Sequence, residues 1–111
     1  MREDLSDFTS RASAFLKVLA GRTRSMLIWE LIDGERSVGE LAEMVGASTT
    51  AVSQQLAILR GEGIVSTRSC GQRRFYSLTS PEARHFVTAL RELLLQNVAA
   101  AEIQQVRDRA R

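Results

Sequence analysis

The chain has 111 residues, a formal net charge of +2 and a single cysteine. One composition regime at this length predicts a single domain over residues 1–111 with a modest core, and one cysteine excludes an intrachain disulfide framework. No run reaches the ~18 apolar residues of a membrane span and none resembles a signal peptide, so the expectation is a cytoplasmic protein with no membrane partner.

The distribution of charge says more than its sum. Residues 1–47 carry six basic and eight acidic side chains. Residues 48–79 carry Arg60, Arg68, Arg73 and Arg74 against Glu62 alone. Positive charge concentrated on one segment is the footprint expected of a surface that meets phosphate.

Residues 4–20 read as a helix, with Phe8, Ala12, Phe15, Leu16 and Leu19 recurring at three and four residues. Gly21 breaks it. Residues 22–33 form a second helix with Met26, Leu27, Leu31 and Ile32 turned inward, ended by Gly34 in a left-handed conformation. Trp29 reads as core, or as the wall of a small-ligand pocket.

Ser37 followed three residues later by Glu40 is a capping box, which starts a short helix to Val45. Gly46 makes a turn. Ser48 caps the next helix, which runs to about Arg60 with Val52, Leu56 and Leu59 inward and is stopped by Gly61 and Gly63. Residues 64–68 and 74–78 are β-branched or aromatic and pair as a hairpin around Cys70, Gly71 and Gln72. Ser80, Pro81 and Glu82 start a last helix towards Arg107. Its stripe of Phe86, Leu90, Leu93, Leu94, Val98 and Ala101 is longer than one small domain can cover.

Short helix, glycine turn, polar-faced helix and basic ribbon, in that order, predict a winged helix-turn-helix. The fold class is mainly α (α+β), with element order α-α-α-α-β-β-α and a two-stranded wing. The helix-turn-helix covers residues 37–61 and the wing residues 64–78. Helices over residues 1–20 and 81–107 pair across a twofold axis through Phe8, Phe15, Phe86, Leu90, Leu93 and Leu94.

The second helix of such a motif enters the major groove by its N-terminus, so its exposed face must be short and polar. Thr49, Thr50, Ser53 and Gln54 fit, since Thr and Gln can bond base edges. Ser48 at the helix start, with Arg68, Gln72, Arg73 and Arg74 on the ribbon, supplies candidate phosphate contacts. Double-stranded DNA is the implied partner. A winged helix serving only protein contacts is the competing reading, and an apolar face at Thr49–Gln54 would have favoured it. With one histidine, no phosphate loop and no metal cluster, the chain offers no catalytic set and no cofactor site.

On these residues the chain resembles the ArsR/SmtB family of small dimeric bacterial transcriptional repressors. The likeness runs from about Leu16 to Leu78 and includes Ser37-Val38-Gly39-Glu40-Leu41-Ala42 and the stretch from Ala51 to Arg60. It implies a homodimeric repressor on an inverted-repeat operator, released by an effector. Many such proteins sense metals, but the family's cysteine-bearing stretch corresponds here to residues 38–44, which hold none. Its last-helix ligands correspond to Ser80, Glu82, Leu93 and Gln96, of which only Glu82 could bind. His85, the sole histidine, reads as an ordinary helix-surface residue. The family's dithiol-switch positions align with Trp29 and Leu95, so no metal and no paired-thiol switch is expected. Cys70, beside Gly71 and near Arg68 and Arg73, remains as a possible redox residue or an incidental exposed thiol.

Overall fold

Apolar side chains at helical spacing on three short helices meet at one point, and the rest of the chain is arranged around it. In the computed structural model, Leu27, Ile28, Leu31, Leu41, Val52, Leu56 and Leu59 are fully buried. Described are residues 2–110, with side chains from Leu5 onward; Met1 and Arg111 of the single-domain reading lie outside the described residues. The order is α1 (Arg2–Ala20), α2 (Arg22–Leu31), β1 (Arg36–Ser37), α3 (Val38–Val45), α4 (Thr49–Gly61), β2 (Val65–Cys70), β3 (Arg73–Leu78) and α5 (Pro81–Arg109). This is the expected winged helix-turn-helix, with one strand added.

That strand is β1. It pairs with β3, Arg36 opposite Tyr76 and Ser37 opposite Phe75, and makes a three-stranded antiparallel sheet in the order β1-β3-β2. Two residues have no periodicity to read, so only the pairing reveals them. Ile28 is a second addition to the expected core. Trp29, read as core or as a pocket wall, is half-buried on the flank of α2, beneath the Arg91 guanidinium at 5.5 Å from the ring centroid. It lines an apolar hollow of about 360 Å³ with Met26, Phe86, Leu90 and Leu94.

The turn between α3 and α4 is set by Gly46 at φ +70° and ψ +37°. Its N–H reaches Glu43 O at 3.3 Å while Ala47 N–H reaches Ala42 O at 3.0 Å. These are the two bonds of a Schellman motif, which needs a left-handed residue at its centre. The same motif closes α4 at Gly63, where Ile64 N–H bonds Leu59 O at 2.9 Å; Gly61, expected as a terminator, is the last helical residue. Gly34 departs from expectation too. The second helix stops at Leu31, and Gly34 sits beyond it at φ +147°, outside the left-handed helical well.

The capping box at Ser37 and Glu40 is formed in both directions, each bond 3.2 Å. Ser80 caps α5 through Ala83 N–H at 3.1 Å, with Pro81 in the first turn. Only Ala83 and Val87 of α5 are buried. At 1.5 Å per residue the helix is roughly 43 Å long, and beyond Arg91 all its described side chains are exposed.

Candidate nucleic-acid interface

α4 divides cleanly. Val52, Leu56 and Leu59 lock one face into the core, which leaves Thr49, Thr50, Ser53, Gln54 and Ala57 exposed. Ser48 accepts Ala51 N–H at 3.1 Å and so occupies the capping site expected of it. The other early N–H groups of α4 have no intrahelical acceptor, which suits them to an anion.

The wing rises beside this face. Cys70 pairs with Arg73 across a loop of Gly71 and Gln72. Alternation along β3 sends Arg73 and Arg74 to opposite faces of the ribbon. Ser53, Ala57 and Arg60 of α4 and Gln72, Arg73 and Arg74 of the wing line a single open groove. Arg60 counted in the charge reading but was not chosen as a site residue; its place in the last turn of α4, next to the wing, becomes visible only in three dimensions. Glu40 and Glu43 also border the groove.

Not every ribbon arginine is equally free. Arg68 donates to both oxygens of Glu35, Nε to Oε2 at 2.8 Å and Nη2 to Oε1 at 2.6 Å, and lies 4.7 Å over the Phe75 ring. Its guanidinium is therefore committed midway along the wing. The Glu35 carboxyl is held below its ordinary value, first by the hydrogen bond from Arg68 and further by that guanidinium's charge and the Ser77 hydroxyl. Arg73 makes looser contacts: Glu40 at 3.7 Å, Ser37 Oγ at 3.5 Å and the Phe75 ring at 5.1 Å. Among the described residues the Arg74 guanidinium makes no hydrogen bond or ion pair, although its backbone pairs with Ser69.

Cys70 is exposed at the end of β2. His85 is exposed on α5. Among the described residues no group of three or more His, Cys, Asp or Glu side chains is placed to hold a metal ion. The residues expected to pair belong to α1 and α5 and do not line this groove. Phe15 of α1 meets Phe86 of α5 edge-to-face, with centroids 6.2 Å apart. Around that contact Phe8, Leu90, Leu93 and Leu94 stay exposed, Phe8 by 66%.

Comparison with known proteins agrees with this geometry. Residues 21–67 match the bacterial regulatory protein, arsR family. The chain is 42% identical over 89 residues to a biofilm growth-associated repressor of Xylella fastidiosa, covering 80% of this chain and 78% of that protein. It is 36% identical to the transcriptional activator HlyU of Vibrio cholerae, covering 85% and 87%. The structure of reduced HlyU from the same organism superposes with a TM-score of 0.79 at 36% identity, over 82% of this chain and 96% of that one. The chain belongs to the ArsR family of DNA-binding transcriptional regulators.

Proposed function

We propose that the protein is a homodimeric repressor that binds an inverted-repeat operator in the cytoplasm and is released by an effector or by thiol modification. One observation carries the reading. Ser53 and Arg60 of α4 border one groove with the tip of the wing, while the exposed apolar side chains of α1 and α5 lie elsewhere. One surface suits nucleic acid and the other suits a second copy.

Thr49, Thr50, Ser53 and Gln54 read base edges in the major groove. Ser48, Gln72, Arg73 and Arg74 contact phosphate and set the register. Arg60 joins this phosphate set, and Arg68 serves it chiefly by bracing the wing against Glu35. Pairing through Phe8, Phe15, Phe86, Leu90, Leu93 and Leu94 holds two α4 helices about 34 Å apart, one turn of duplex. An effector acts by its differential affinity for dimers of different spacing or stiffness. The thiol of Cys70, across from Arg73, is where modification would alter the wing.

The test is selection from a random duplex pool by purified protein in reducing, metal-free buffer. An enriched inverted repeat, with sedimentation at twice the monomer mass, is the expected result. A folded protein that enriches nothing at low salt overturns it.

A further inference from the structure

The structure assigns to Arg24 a role in positioning the recognition helix: bonded at once to α1 and to α4, it fixes how α4 is carried relative to the helix proposed to pair in the dimer. The inference rests on the DNA-binding reading above.

Arg24 lies in the first turn of α2, and its guanidinium points away from that helix in two directions. Nε donates to Val18 O at 2.8 Å and Nη2 to Lys17 O at 3.4 Å. These carbonyls belong to the last turn of α1, where a helix leaves its acceptors without intrahelical donors and where a cation is favoured. Nη1 donates to Gln55 Oε1 on α4 at 2.9 Å. Among the described residues no other hydrogen bond or ion pair joins α1 to α4.

Gly21 is consistent with this placement of the guanidinium. Its φ of −62° and ψ of 128° suit any residue, so the backbone does not require glycine. Space does. A Cβ at Gly21 would stand 2.5 Å from Arg24 Cζ, 2.6 Å from Nη2 and 2.9 Å from Nε. The joint between α1 and α2 is thus shaped to seat this guanidinium. Any side chain there evicts it.

Gln55 shares the helix with the exposed Gln54 but is half-buried towards α2. Holding its amide restrains rotation of α4 about its own axis, and that rotation decides which side chains meet the base edges. A planar guanidinium can satisfy both helices together. A lysine ammonium is a point donor without that fork.

The experiment uses full-length dimer and the selected operator. Variants are Arg24→Ala, Arg24→Lys, Gly21→Ala and Gln55→Met. Amide exchange along α4 is read without DNA, and the ratio of operator to random-duplex affinity with it. Arg24→Ala and Gly21→Ala should speed exchange in α4 relative to α3. They should lower the ratio about tenfold, within the usual range of coupling between sites, and leave random-duplex affinity and its salt slope unchanged. Arg24→Lys should restore thermal stability but not the ratio; capping of α1 alone would be rescued in both. Gln55→Met leaves the α1 bonds intact and should reproduce the loss, with no further loss when combined with Arg24→Ala. An unchanged ratio in folded Arg24→Ala and Gly21→Ala protein overturns the inference, as does full rescue by lysine. If the wild-type protein selects no sequence, the DNA-binding reading fails on its own. Exchange then decides the positioning role of Arg24, and unaltered α4 protection overturns it.

Discussion

Glu35 and Arg68 stand 33 positions apart and form a two-pronged pair at 2.6 and 2.8 Å, which ties the segment before β1 to the middle of the wing. Both are on the surface, so the pair contributes through orientation more than through burial. It also gives the protein an acid-sensitive contact. The Glu35 carboxyl is depressed below its reference value of 4.5. Stability from a depressed carboxyl is complete above the unfolded value and is lost as pH falls through the folded one. Replacing Glu35 by Gln should therefore lower the thermal midpoint by a constant amount above about pH 5, and the gap should shrink as acid titrates the carboxyl through its depressed range. A gap independent of pH would mean that the charge pair is not its source.

Arg73 is held only loosely by Glu40 and Ser37 and is available to phosphate. Arg73→Ala should weaken operator and random DNA about equally and reduce the salt slope by about 1. Arg68→Ala should change that slope less, because its guanidinium is already paired. Titrations over a range of salt concentrations compare the two directly.

Gln54 belongs to the exposed face of α4. Gln54→Ala should cost about 1–3 kcal/mol of discrimination at the base pair it reads. Random-duplex affinity should hardly move. Competition binding with single-position operator variants identifies that pair, and a proportional fall in both affinities would remove Gln54 from the reading set.

Gly46 occupies φ +70° in the turn of the helix-turn-helix. No neighbouring atom lies within 4 Å of where its Cβ would stand, so the cost of alanine there is purely conformational. Gly46→Ala should destabilise the fold by about 1–2 kcal/mol, and Gly46→Asn by less, since asparagine tolerates that region better. Urea unfolding measures both.

Leu90 is 42% exposed on α5, beside Phe86 in the apolar hollow. A carboxylate in a paired interface would be desolvated without a partner. Leu90→Glu should therefore yield folded monomer and lose most operator affinity. Sedimentation and circular dichroism on the same sample separate loss of pairing from loss of fold.

The elements were legible in the linear chain because each carries its own local physics. Val52, Leu56 and Leu59 recur at helical spacing, Ser37 and Glu40 satisfy each other's backbone donors, and Gly46 permits the one conformation the turn requires. The polar face of α4 follows directly, since whatever the core does not take is left to solvent. The two-residue strand β1 was not legible, because strand identity at that length comes from its partner at Tyr76 and Phe75. Nor were the commitments of individual arginines. Arg68, Arg73 and Arg74 look alike in sequence, yet strand register gives Arg68 a carboxylate and leaves Arg74 at the rim of the groove. Trp29 was left between core and pocket wall because aromatic bulk alone does not say which flank of α2 is covered; the structure gives it the wall of the hollow.

Sequence alone thus determined the helices, the turn and the class of surface that α4 presents, all of which depend on residues within a few positions of one another. Tertiary structure alone decided which guanidinium is paired, which is free and which, at Arg24, joins one helix to another. Those outcomes depend on contacts between residues 6 to 33 positions apart, and no local pattern encodes a distance in space.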